Sequence, residues 1–328
     1  MSKKKIGVSL VVCLIALPMF ARSRRDHRVF ASGEPTVLTA ERIDTDVMIG
    51  PRLLRQARQA ALRQAGPAAS AIVDNRSARI VSIPAAGSVR GAGGTFFRSD
   101  VTLVNWNQPA QPLKVLWYPQ GGSAPVVYQM TLPGDRPPIT TTDFVGTVLK
   151  ISGLGSLVFV PVDAAGQFDA NGAIDAYSRI WTNQPNATGT VSQPFTSVDP
   201  SHLFGEYEAF ILGLRQDASY RTNFGIVNFY DKPLPFVVTI FAESSPAGSP
   251  TEIHVTVPAQ SMIQQSLPST FFGTPGPINL AVNVDMDVPN NDQIWTAYAS
   301  STDNITGDGW ASIATKDWGD EELDKRAK

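Results

Sequence analysis

One ten-residue motif occurs twice in this chain, and its spacing constrains the architecture more than any other feature. Phe97-Arg98-Ser99-Asp100-Val101-Thr102-Leu103-Val104-Asn105-Trp106 returns as Tyr220-Arg221-Thr222-Asn223-Phe224-Gly225-Ile226-Val227-Asn228-Phe229, so Arg98 and Arg221 stand 123 positions apart. A second pair of markers, Ala176-Tyr177-Ser178 and Ala297-Tyr298-Ala299, lies 121 positions apart. Two markers at nearly one offset define a repeat of about 120 residues, the size of a small domain.

Within each copy, short runs of Val, Ile, Thr and aromatic residues alternate with Gly, Pro, Asn and Asp clusters, the pattern of an all-β domain. The first copy offers strands at 80–83, 99–106, 113–118, 126–132, 156–162 and 174–182. The second offers 207–212, 222–229, 236–241, 252–257, 278–284 and 293–301. So many short strands bury their aromatics economically only as two packed sheets, and the connections are too short for parallel crossovers. The expected fold is therefore two tandem antiparallel β-sandwiches, immunoglobulin-like or jelly-roll-like, over residues 79–195 and 205–315, joined near 195–204. A densely charged tail follows at 316–328.

The N-terminus speaks to location. Lys3-Lys4-Lys5 precedes a charge-free apolar run from Ile6 to Phe20, the signature of an export signal and too short for a confident membrane span. Residues 1–21 are read as a signal peptide, giving a secreted protein (periplasmic, cell-surface or extracellular) with no membrane span in the mature chain. Cys13 is the only cysteine and lies in that signal, so the mature chain would have neither disulfide nor thiolate chemistry. Together these features favour a bacterial origin. Residues 22–78 form a polar lead segment containing one helix at 51–65, with Pro51 at its start and Gly66 past its end. Its stripe of Leu54, Ala57, Ala61 and Ala65 with arginines elsewhere admits two readings: a connector packed on the first domain, or a basic helix touching an anionic surface. Residues 67–328 carry a net charge of −9, which disfavours nucleic acid as a partner.

Val89-Arg90-Gly91-Ala92-Gly93-Gly94-Thr95-Phe96-Phe97-Arg98-Ser99-Asp100 with Leu103-Val104-Asn105, Gly153-Leu154-Gly155-Ser156-Leu157, and Ala297-Tyr298-Ala299-Ser300 with Asp303-Asn304-Ile305-Thr306-Gly307-Asp308 carry a resemblance. They resemble a group of uncharacterised exported bacterial proteins built from β-sandwich units. The resemblance implies secretion and a β-sandwich, and brings no catalytic residue with it. At Leu214-Arg215-Gln216-Asp217 the second copy lacks the glycine run.

Candidate chemistry is sparse. His27, His202 and His254 show no zinc spacing, and no nucleophile-elbow motif accompanies them. Gly91-Ala92-Gly93-Gly94 leads into a strand rather than a helix, which suits a turn better than a phosphate loop. Arg98 and Arg221 sit beside aromatics and suit either a binding pair or an internal staple shared by both copies. Asn105 and Asn228 suit turn formation. Two acidic loops, with Asp163, Asp169, Asn171 and Asp175 in one and Asp285, Asp287, Asn290 and Asp292 in the other, have the oxygen ligands for calcium, although the same residues make ordinary turns.

The expectation is an exported, non-catalytic protein for surface adhesion or extracellular binding of a protein or glycan, without a required cofactor. One alternative is a carbohydrate-binding accessory module using Trp106, Trp117, Tyr118, Trp181 or Trp295. A second is a secreted hydrolase built on His202 or His254.

Overall fold

The computed structural model describes residues 36–43, 48–64, 80–91, 94–122, 124–134, 137–184, 188–198, 208–242, 251–268, 276–285 and 293–316, which belong to one compact unit, Pro35–Lys328. The signal peptide, most of the lead segment, His27, His202, Asp287, Asn290, Asp292 and residues 317–328 lie outside the described residues.

The first elements are β1 (Glu41–Arg42) and α1 (Ile49–Gln64). Repeat 1 follows with β2 (Val81–Arg90), β3 (Phe96–Asn105), β4 (Gln111–Pro119), β5 (Val126–Leu132), β6 (Ile139–Thr141), a one-turn α2 (Phe144–Thr147), β7 (Gly153–Pro161), β8 (Ile174–Asn183) and β9 (Thr190–Thr196). Repeat 2 contains β10 (Ala209–Gln216), β11 (Tyr220–Asn228), β12 (Leu234–Ala242), β13 (Thr251–Val257), β14 (Ser261–Ser266), β15 (Gly276–Val284), β16 (Trp295–Asp303) and β17 (Gly309–Ile313), followed by β18 (Thr315–Lys316). The fold is all-β and sandwich-like, and every pairing between these strands is antiparallel.

Strand order makes the repeat visible. Repeat 2 has one sheet ordered β13-β12-β15-β10-β18 and another ordered β14-β11-β16-β17. Repeat 1 has the same two layers, β5-β4-β7-β2 and β6-β3-β8-β9. Here β2 also pairs with β3 through Ser88↔Arg98 to Arg90↔Phe96, so the layers join at one corner and, with β1 on the β5 edge, form a nine-stranded sheet. Alternation decides which side chains turn inward: on β3, Val101 and Leu103 are buried while Asp100, Thr102 and Val104 lie on the outer face.

Two features depart from the sequence reading. Phe195, expected at the joint, lies buried within β9, and among the described residues eight strands in repeat 1 and nine in repeat 2 replace the six expected in each. The helix spans 49–64 rather than 51–65, and its Ile49, Leu53, Leu54 and Ala57 are buried in the first core. This is the packed connector, with its apolar stripe against protein.

The repeats also share a core. Val227, Phe229, Met262, Ile294 and Tyr298 of repeat 2 pack into the repeat 1 cluster, while a separate cluster fills the interior of repeat 2. The β14-β11-β16-β17 sheet is thus covered on both faces. No helix among the described residues is long and apolar enough to cross a membrane.

Candidate functional site

The doubled motif places its polar residues first as scaffold. Asn105 Nδ2 donates to the carbonyls of Pro109 (2.9 Å) and Pro133 (3.4 Å), and its Oδ1 accepts from Asn107 N. Asn228 does the same with Lys232 (2.8 Å), Pro258 (3.0 Å) and Tyr230 N. Each amide clamps the turn after its own strand to the end of the strand two elements on, satisfying carbonyls that would otherwise be buried unpaired.

The two arginines diverge. Arg98 Nε lies 3.9 Å from Asp143 Oδ2, and its guanidinium sits over the rings of Phe96 and Trp181 at 4.6 and 5.3 Å. Asp143, left-handed at φ 50, caps α2 and accepts from Ser88 Oγ, while Trp181 Nε1 donates to Asp100 at 2.7 Å. Arg98 therefore fastens α2 to the sheet. Arg221 instead donates to Asn304 Oδ1 at 2.8 Å, holding the turn after β16, and it also lines a cleft.

That cleft, of about 900 Å³, lies between the repeats. Repeat 1 contributes the end of β2 with Arg90 and Gly91, then Thr95, Phe97, Gln120 and β9 with Ser192 and Gln193. Repeat 2 contributes Arg221, Asn223, Gln264, Ser300, Thr302 and the 304–307 turn. Hydrogen bonds fix the relation of the walls. Gln193 Nε2 donates to Thr302 Oγ1 (3.0 Å) and Gln120 Nε2 to Gln264 O (3.3 Å), while within the repeat 2 wall Tyr298 OH donates to Gln264 Oε1 (2.7 Å). Burial pushes the Tyr298 phenol far up, so it stays a neutral donor.

Among the described lining residues are amides, hydroxyls, two arginines and apolar side chains, and none is Asp, Glu, His or Cys. Such a lining can hydrogen-bond a polar ligand and neutralise an anionic group. It offers no general base beside its hydroxyls. The strands were legible in the sequence, but Gln120, Gln193, Gln264 and Thr302 were missed as site residues. The available signal was a difference between copies: Ser300 and Thr302 stand where repeat 1 has Arg179 and Trp181.

Of the described acidic-loop residues, Asp163 and Asp169 make turns, Asp175 lies in β8 and Asp285 lies beside His254. Asp163 Oδ1 accepts from Ala165 N and Gln167 N, Asp169 Oδ1 from Asn171 N, and Asp175 Oδ1 from Ala176 N and Ser197 Oγ. Lys114 Nζ already donates to the Gly166 carbonyl of the first loop at 2.8 Å. Among the described residues, no three His, Cys, Asp or Glu side chains are grouped to hold a metal ion. His254 lies exposed on β13, 3.8 Å from Glu252 and 3.6 Å from Asp285. Of the aromatic candidates, Trp117, Tyr118 and Trp295 are buried, Trp181 is half-buried, and Trp106 is 58% exposed.

No protein-family model matches the chain, and no curated protein matches it in sequence. Among solved structures it is similar to the crystal structure of Thermotoga maritima 1070. That likeness has 15% identity, covers 34% of this chain and 96% of that one, and has a TM-score of 0.28. A likeness this loose carries no functional argument.

Proposed function

We propose that this is an exported, non-catalytic binding protein that captures a polar extracellular ligand in the cleft between its two β-sandwiches. The observation that carries the reading is the cleft lining: neutral hydrogen-bonding side chains with Arg90 and Arg221 and no described carboxylate or imidazole. Concave sites with a few convergent polar groups are where small ligands bind. A glycan array probed with the purified chain tests it. The reading expects retention of an oligosaccharide, lost when Ser192→Trp fills the cleft and weakened by Arg221→Ala. An array without retention, or retention indifferent to both substitutions, would sink it.

A second reading, a carbohydrate-binding accessory module, draws support from Trp181. Its ring lies within cation–π range of both Arg98 and Arg179 on an outer sheet face that also carries exposed Tyr177. Tyr177→Ala would then weaken retention on the array while Ser192→Trp left it intact.

A further inference from the structure

The internal repeat leaves both halves of its own interface exposed elsewhere on the chain. Inside the molecule, the contacts between repeat 1 and repeat 2 include three that bear on this surface. Tyr118 packs edge-on against Phe229 (4.9 Å between ring centroids), Phe195 edge-on against Tyr298 (5.4 Å), and Gln193 bonds Thr302. Strand register gives these residues their counterparts, and it sets Ser312 where Phe195 stands. Tyr118 pairs with Ser156 as Phe241 pairs with Asn279, and Gln193 with Ile180 as Trp310 with Ser301. Tyr298 pairs with Gly225 as Tyr177 pairs with Thr102. Trp106 N donates to Ala173 O as Phe229 N donates to Ile294 O, and both aromatics close the doubled motif.

The contrast in exposure is consistent. Tyr118, Phe229 and Tyr298 are at most 1% exposed, whereas Phe241, Trp106 and Tyr177 are 44%, 58% and 42% exposed. Trp310, in the place of Gln193, is exposed as well. Repeat 2 therefore displays Phe241 and Trp310 from the side that repeat 1 uses internally, with Ser312 in the place of Phe195 and the Trp310 indole donating to the Gly213 carbonyl, and repeat 1 displays the side that repeat 2 uses. Clustered apolar exposure of this kind marks an interaction surface.

We infer that the occupant of each surface is a second copy of this chain, with Phe241 and Trp310 of one molecule docking on Trp106, Tyr177 and Trp181 of the next. The contact is heterologous and leaves a free end on either side, so it builds open rows rather than closed dimers. It is weaker than the internal interface, because Asp175 and Arg179 stand where Thr296 and Ser300 stand. Both are already bonded within their own face, Asp175 to Ser197 and Arg179 to Thr190, and supply the polar component normal in a reversible interface. The inference does not depend on what the cleft binds.

Sedimentation velocity of the full chain over a series reaching about 1 mM tests it, with two variants blocked at opposite ends. The wild-type mass should rise continuously with concentration. Phe241→Glu and Tyr177→Glu should each raise the concentration needed for assembly about tenfold or more. Mixed together, the two variants should recover a one-to-one dimer and nothing larger, since each retains the end the other lacks. A wild type that stays monomeric, a variant that still assembles alone, or a mixture that fails to pair or grows past two would each overturn the inference. Phe241→Ser and Trp106→Ser form a milder pair, and circular dichroism checks folding in every case.

Discussion

Gly225 shows how one atom separates the copies. A Cβ there would fall 2.3 Å from the ring of Tyr298, so only glycine lets that tyrosine lie across the neighbouring strand and be covered. Repeat 1 has Thr102 at the same register, and Tyr177 opposite it stays exposed. Gly225→Ala is expected to cost about 1–3 kcal/mol through overpacking, with much of the loss absent when Tyr298→Ala is already in place; a double-mutant cycle from denaturant unfolding measures it. The two asparagine clamps behave alike despite this divergence. Asn105→Ala and Asn228→Ala should each destabilise by about 1–3 kcal/mol, because buried carbonyls lose their donor, and Asp at either position should not rescue, since a carboxylate donates nothing. Acid tests the turns. Asp303 is held below the ordinary aspartate range by the backbone amides of Thr306 and Ile305. For Asp217, burial acts upward, but bonds from Arg215, Ser219 and Tyr220 outweigh it. Both carboxyls are therefore depressed in the folded state. Their contribution is full above about pH 5 and is lost as pH falls through the folded values. The thermal midpoint should drop between about pH 5 and pH 3, and Asp303→Asn should flatten that drop.

At the scale of elements, legibility followed apolar alternation. Strands such as β3, β5 and β8 and their counterparts carry enough alternating Val, Leu, Ile and aromatic residues to be read directly. β9 and β14 do not: Thr-Val-Ser-Gln-Pro-Phe-Thr contains a proline, Ser-Met-Ile-Gln-Gln-Ser has four polar residues of six, and both owe their place to the sheet beside them. The doubled Asn was legible as shared scaffold because a residue kept by two copies of one fold first serves that fold, whereas the doubled Arg takes a different partner in each copy. The cleft was not legible, because its walls come from several strands of both repeats and exist only once the repeats have packed. α1 lies between these cases. Proline and glycine punctuation located it, but its burial depends on a groove no local pattern encodes. Leu54→Ala should cost about 2–5 kcal/mol by leaving a cavity, while Arg55→Ala should cost under about 1 kcal/mol, since its partner Asp231 lies 3.9 Å away across a partly exposed surface. Comparable losses at both positions, measured by urea unfolding, would mean that the helix is held by charge rather than by its apolar face.

At the scale of the whole molecule, the shared core decides how the chain unfolds. Two tandem domains joined only by a linker melt separately, because neither loses burial when the other opens. Here Tyr298 and Phe229 of repeat 2 complete the core of repeat 1, so opening one repeat exposes apolar surface of the other. The chain should therefore show one calorimetric transition with equal calorimetric and van't Hoff enthalpies. Tyr298→Ala removes a ring packed against Phe195 together with its bond to Gln264, at a cost of about 3–5 kcal/mol. The loss falls on the junction, so the single transition should split into two. Tyr177→Ala is the matched control, a tyrosine at the equivalent register on the uncovered copy of the same face. Measured at dilute concentration, it should leave one transition with stability within about 0.5 kcal/mol of wild type. Two transitions in the wild type would show that the repeats merely touch, and one in Tyr298→Ala would show that their coupling does not rest on that ring. The expected pattern would make the covered and uncovered tyrosines the same element used twice, once to close the molecule and once to leave it open to a neighbour.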